Sequence, residues 1–462
     1  MPVNSFENYP MTWRPGIDRT AGPLYLYLAN RLEQDIMNGS LLPGTRLPPQ
    51  RELADFLDIN VSTVSKAFKV CELKGLLSAT VGSGTFVSYD ALSNAYLLAA
   101  GRPENLIEMG ATLPESSSYE PLIAQLKNMV NEADFARWFS YSRPEDVLWQ
   151  KDAAVKLMGR GGYEAELESI LFANGGQNAI TAALAGLCTH GDKVGTDPHI
   201  YSGLKTAAGM LGIKLVPIKQ KDGEMDEEAL VYACRNDNLK GIYLIPDYQN
   251  PTTHRMSPER REALAGIAKE YDIFIIEDAT YHLACERPVQ AVAAFAPDHT
   301  VYMASLSKTI GPGLRLAYVS VPERYRKPLS NALYNMNISV SPLMAELAAR
   351  MIVSNQIDAI IEGHRRNTIY RNQLLNRYLS EYDCRGENTC IFRWLKLPNN
   401  TPGAAFEALA LEHGVQVYSA ERFTVGNSIP EKAVRISVCA PETEAELEQG
   451  LKLLRLLLDS LQ

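Results

Sequence analysis

Apolar positions in the first ninety residues follow a helical period. In "PLYLYLANRLEQDIMNG", Pro23 precedes Leu24, Leu28, Leu32 and Ile36, spaced by four, and Gly39 stands where a C′ glycine ends a helix. "QRELADFLDI" and "VSTVSKAFKVCELKG" read as two further short helices across a brief break, the second closed by Gly75. Such a pair predicts a helix-turn-helix. "LLSATVGSGTFVS" then alternates strand-forming residues around Gly82, Ser83 and Gly84, which is a hairpin signal and would form a wing. Residues 89–106 carry no strong period and contain a Gly-Arg-Pro break. They are expected to link a head at 20–88 to a second domain at 107–462.

Beyond 107 the pattern changes. "KGIYLIPD", "DIFIIEDA", "HTVYMAS" and "RLAYVSV" are short β-branched or aromatic runs with little alternation, as in strands buried on both faces of a parallel sheet. "GGQNAITAALAGLCTHG" and "SPERREALAGIAKEY" read as crossover helices between them. This alternation predicts an α/β fold with ligands beyond the carboxyl ends of the strands. From about 330 the chain is richer in helix, and "AVRISVCA" with "ETEAELEQGLKLLRLLLDSL" suggests a smaller C-terminal α+β subdomain.

Composition narrows the picture. The chain has 462 residues, 46% of them apolar and 21% charged, which suits a soluble protein of more than one domain. No eighteen-residue apolar run and no signal-like start are present, so a cytoplasmic protein with no membrane contact is expected. Seven cysteines without C-x-x-C spacing predict buried thiols rather than disulfides or zinc ligands. No histidine has metal-ligand spacing, so no metal is expected, and His254 and His282 read as polar loop residues. A net charge of −9 confines any nucleic-acid contact to a local surface.

That surface would be the head. Ser62, Thr63, Ser65, Lys66 and Lys69 fall early in the third helix, where hydroxyls and ammonium groups reach bases and phosphates of double-stranded DNA. Arg46 and Arg51 flank it as phosphate contacts, and Gly84 sits in the wing. The head is not basic overall, with eight Lys or Arg against nine Asp or Glu in residues 1–90. "GTRLPPQRELADFLDINVSTVSKAF" followed by "GLLSATVGSGTFV" resembles the winged helix of GntR-type bacterial transcription regulators, with Pro49 and Asn60 where serine or alanine is more usual.

In the second domain, Asp278, Asn250 and Lys308 each lie at or past the end of a strand-like run, and Tyr281 follows Asp278 by three residues. A lysine amine, a carboxylate for a ring nitrogen and donors for a phenolic oxygen are what pyridoxal phosphate requires. Its phosphate needs a cradle. Gly175, Gly176 and Gln177 open a helix where free N–H groups favour an anion, and Ser305 and Arg315 flank the lysine.

With these motifs, residues from about 107 to 462 resemble the fold-type I aminotransferase family, and the whole chain resembles the MocR subgroup of GntR regulators. The resemblance implies that Lys308 in "SLSKTIGPGLRLAY" holds the cofactor as an internal aldimine and that Arg315 and Ser305 bind its phosphate. It implies that Asp278 pairs with the ring nitrogen, that Asn250 and Tyr281 contact the phenolic oxygen, and that Tyr201 in "DPHIYSG" stacks on the ring. Tyr141 would reach a phosphate across a dimer, and Arg435 in "AVRIS" would grip a ligand carboxylate. Thr253 stands where the family usually has glycine, and "SRPEDVLWQKD" lacks the usual glycine and leucine-arginine pair.

The function implied is transcription regulation by a homodimer, often head-to-tail, that senses an amino acid or amine through the cofactor, with displaced heads as the signal. Two alternatives stand beside it: a turning-over aminotransferase with a DNA-binding head, and a sensor of pyridoxal phosphate itself.

Overall fold

The computed structural model describes residues 11–19, 22–37, 40–41, 44–74, 76–80, 84–88, 106–114, 119–426 and 428–461. Gly39, Gly75, Gly82 and Ser83, and nearly all of the expected linker, lie outside the described residues. Two compact units emerge: residues 1–101 with 421–430, and residues 102–420 with 431–462.

The first unit contains α1 (Leu24–Met37), α2 (Gln50–Leu57), α3 (Val61–Leu73) and an antiparallel hairpin of β1 (Leu77–Thr80) and β2 (Gly84–Val87). Leu28, Ala29, Leu32 and Ile36 of α1 are buried in one cluster with Val64, Ala67, Phe68 and Cys71 of α3. Asp35 is buried among them and accepts from Trp13 Nε1 at 2.9 Å and Arg31 Nε at 3.1 Å, so its charge is not orphaned. Helix α3 starts cleanly because Asn60 Oδ1 accepts from the Ser62 N–H at 2.8 Å.

The second unit is built on seven strands, β3 (Ile170–Ala173), β4 (Lys193–Thr196), β5 (Lys214–Pro217), β6 (Leu239–Leu244), β7 (Phe274–Asp278), β8 (Thr300–Ser305) and β9 (Ala317–Ser320), ordered β3-β9-β8-β7-β6-β4-β5. Strands β4 to β8 run parallel, whereas β9 is antiparallel to both β8 and β3. This corrects the sequence reading of "RLAYVSV" as a parallel strand. Its apolar run records burial on both faces, and burial carries no information about direction.

The chain leaves the sheet through α4 (Glu323–Asn337), α5 (Pro342–Val353) and the long α6 (Gln356–Leu379). It then forms a four-stranded antiparallel sheet of β10 (Cys384–Arg385), β11 (Phe392–Lys396), β12 (Tyr418–Ser419) and β13 (Ala433–Ser437), ordered β10-β11-β13-β12, and closes with α7 (Glu444–Ser460). All seven cysteines are free; Cys71, Cys285, Cys390 and Cys439 are buried and the others partly so. No helix among the described residues is long and apolar enough to cross a membrane.

Candidate functional site

Strands β6, β7 and β8 end side by side, and a cavity of about 120 Å³ opens beyond their carboxyl ends. Asn250, Asp278, Tyr281, Ser305, Lys308, Arg315, Gly176, Gln177 and Tyr201, named from the sequence, all line it. Thr112, Thr280 and Ser307 line it too. These three were not singled out from the sequence, where isolated hydroxyl residues carry no pattern.

Asp278 closes β7 and is buried. Its Oδ2 accepts from Tyr243 Oη at 2.6 Å, and its Oδ1 accepts from the Thr280 N–H at 3.1 Å and from the Thr280 hydroxyl. Burial pushes the carboxyl above its ordinary range, against the pull of these donors and of the Lys308 charge. Lys308 donates to the Thr112 carbonyl. Burial brings its amine down to about 8, with Arg435 and Arg315 pushing the same way and Asp278 opposing.

The anion cradle is drawn tight around glycines. Gly175 has φ +86°, a conformation glycine adopts freely, and a Cβ there would lie 2.6 Å from an Arg315 terminal nitrogen. A Cβ on Gly176 would meet Ser305 Oγ at 3.4 Å and Thr280 Oγ1 at 3.8 Å. The helix Gly176–Leu187 begins here, so its first N–H groups face the space bounded by Arg315, Ser305 and Thr280. The Ser307 hydroxyl, buried at the cavity wall, has no hydrogen-bond partner. A guanidinium held to the Asn174 carbonyl at 3.1 Å, hydroxyls, free N–H groups and no backbone bulk fit a phosphate, and the half-buried lysine and buried carboxyl fit the aldehyde and ring nitrogen of pyridoxal phosphate.

Tyr201 stands just before the helix Ser202–Leu211, against Gly203, and its phenol is pushed up to about 12 by burial, with Asp278 adding to the effect. Tyr281 packs edge-on to Phe392 at 5.5 Å. Arg435 reaches over from β13. It donates to Asn250 Oδ1 at 2.5 Å and to Gly110 O at 2.6 Å, with its guanidinium carbon 5.4 Å and 5.6 Å from the centres of the Tyr418 and Phe392 rings. Tyr141 is not among the cavity residues and is 74% exposed. His282, read from the sequence as a polar loop residue, opens a short 3-10 turn, His282–Ala284. It is buried, its Nδ1 lies against the Ala279 carbonyl, and its ring meets Tyr302 edge-on. Among the described residues no His, Cys, Asp and Glu cluster could hold a metal.

In the first unit Arg46, Arg51, Ser62, Lys66 and Lys69 are exposed, and Thr63 and Ser65 partly so. Ser65 Oγ donates to Gln50 Oε1 at 2.6 Å, which ties α3 to α2. Lys69 makes an exposed pair with Glu72 at 3.3 Å, a contact easily given up. Gly84 has φ +116°, and a Cβ there would come within 3.0 Å of Arg46 Nε.

The family model "Aminotransferase class I and II" matches residues 105–454. The chain belongs to that family. A second model, "Bacterial regulatory proteins, gntR family", matches residues 24–87. The chain is 65% identical to the HTH-type transcriptional regulator YdeF of Bacillus subtilis over the whole of both chains. It is 26% identical to the vitamin B6 salvage pathway transcriptional repressor PtsJ of Salmonella typhimurium, covering 88% of this chain and 92% of that one. Its fold is similar to that of LysN, an α-aminoadipate aminotransferase of Thermus thermophilus, with a TM-score of 0.69 and 20% identity over 80% of this chain and 95% of that one. As a member, it is a helix-turn-helix transcription regulator carrying an aminotransferase domain, and pyridoxal phosphate is the cofactor of that domain.

Proposed function

We propose that the aminotransferase domain is a sensor, in which an amino acid or amine exchanges with Lys308 on pyridoxal phosphate and the exchange changes how the winged helix is presented to DNA. The observation that carries this is the gathering of Lys308, Asp278, Asn250, Ser305 and Arg315 around one cavity in a chain that also has a GntR head. When bound, the cofactor supplies an aldehyde that condenses with primary amines and a ring that draws electrons from them. Arg315, Ser305, Thr280 and the N–H groups at Gly176 and Gln177 hold the phosphate. Asp278, oriented by Tyr243 and Thr280, holds the proton at the ring nitrogen. Asn250 and Tyr281 donate toward the phenolic oxygen, and Tyr201 lies against the ring. Arg435 takes a ligand carboxylate.

The unit that does this is a homodimer, head-to-tail, in which the partner subunit's Tyr141 reaches the phosphate. The exposure of Tyr141 supports that reading, because a bare phenol on a loop is available to a second copy. For the signal to pass, the ligand must favour one arrangement of the heads, since equal affinity for both shifts nothing. Footprinting of purified dimer near its own gene tests the whole reading: a discrete protected site whose occupancy changes with an amine is expected, and no protected site would sink it.

Two further outcomes are expected. Lys66→Ala and Lys69→Ala should each weaken DNA binding across sequences and lower the slope of log affinity against log salt by about one, measured by fluorescence anisotropy at several salt concentrations. The Lys308 amine, lowered to about 8, is half neutral near that pH, and only the neutral form attacks an aldehyde. The rate at which cofactor-free protein captures pyridoxal phosphate should therefore rise with pH and level off above about 8, not above the 10.5 of an ordinary lysine. A stopped-flow pH series checks this.

A further inference from the structure

Lys308 forms part of the wall of a second cavity. This chamber has a volume of about 20 Å³, enough for about one water molecule, and its other walls include Ala284, Thr309, Ile361, Arg365 and Thr389. Thr309 is 3% exposed and its hydroxyl has no hydrogen-bond partner. Arg365 commits one terminal nitrogen to Glu362 at 2.8 Å and the other to the Leu283 and Cys285 carbonyls at 3.3 Å, while its buried Nε–H also lacks a partner. Thr309 Oγ1 and Arg365 Nε, carried by residues that line this small space together with His364, are buried without a partner and point to an occupant that meets both needs.

We propose that this chamber receives the amine of Lys308 when another amine has taken its place on the cofactor. The proposal rests on the exchange reading above. In that exchange one C–N bond to Lys308 breaks as one to the incoming primary amine forms, and the two hydrogens of the incoming nitrogen end on Lys308 Nζ. Lys308 thus leaves as a neutral amine, with one lone pair and two N–H bonds. The lone pair accepts from Arg365 Nε–H, and an N–H donates to Thr309 Oγ1. An ammonium would offer no lone pair to Arg365 and would be repelled by it, so the chamber suits the lysine in the protonation state in which it leaves. Thr309 and Arg365 act here as positioning residues. They make the released state persist, and with it the signal.

The test uses the full-length protein loaded with pyridoxal phosphate and methylamine as the probe, following the shift of the cofactor absorbance band. Thr309→Val should leave the band of the loaded protein unchanged and raise the methylamine concentration at half-shift by roughly three- to tenfold, the worth of one hydrogen bond. Ala284→Leu, which fills the chamber, should raise it further, and Thr309→Ser should titrate like the parent. Equal titration of the parent, Thr309→Val and Ala284→Leu would overturn the chamber's role. So would a Thr309→Ser variant as weak as Thr309→Val. Absence of any shift in the parent protein would instead overturn the exchange reading and the chamber's role with it.

Discussion

Lys308→Ala abolishes covalent capture of pyridoxal phosphate. Borohydride reduction followed by intact mass measurement should show one added cofactor per parent chain and none on the variant, and the absorbance band near the visible edge should vanish from the variant on dialysis. The size of the effect follows from the site: among the described residues that line the cavity, Lys308 is the one that carries an amine. The cradle of Arg315, Ser305 and Thr280 remains in the variant, so phosphate-mediated, dialysable binding should persist. A band that survived dialysis in Lys308→Ala would refute the assignment of the reacting amine.

Arg261→Ala should be the most destabilising single change near the site, costing about 3–5 kcal/mol. Arg261 is 1% exposed. It donates to Asp247 Oδ1 at 2.7 Å and to the Met256, Pro246 and Gln290 carbonyls at 3.2 to 3.3 Å. Removing it leaves the buried Asp247 carboxylate only the longer 3.4 Å bond from Arg255 Nε, and takes a donor from three carbonyls, of which Pro246 O keeps the Met256 N–H. It also withdraws the cation that opposes burial at Glu277, whose carboxyl is already raised to about 7, and so drives that group higher. The loop 246–256 that Arg261 pins carries Asn250. Urea denaturation should show the midpoint falling steeply, with cofactor affinity falling alongside. A loss below about 1 kcal/mol would mean that the network is far better hydrated than its burial implies.

Much of the site was legible because its chemistry repeats a strand-end pattern. Asp278, Asn250 and Lys308 follow three apolar runs, and those runs are neighbouring parallel strands, so reading the strands located the residues. Tyr243 escaped because it lies within such a run, where an aromatic reads as core, and only pairing of β6 with β7 brings its hydroxyl to Asp278. Thr112 escaped for another reason. Its carbonyl meets a lysine 196 residues later in the chain, and a backbone acceptor has no sequence signature. In the head, the periodicities gave three helices and a hairpin, but the use of Ser65 to hold Gln50 depends on the angle between α2 and α3, which periodicity does not specify.

The hydrogen bond from Arg435 to Asn250 Oδ1 turns the amide so that its NH₂ end is left for other partners. One planar group thus stands between the expected carboxylate contact and the expected cofactor contact. A carboxylate that draws Arg435 away unlocks the rotation of that amide, and a cofactor that fixes the amide in turn fixes the arginine. By linkage, whatever free energy one ligand spends or gains through Asn250 is returned in the affinity of the other. Replacing a single amide would then uncouple two ligands that never touch it at the same atom.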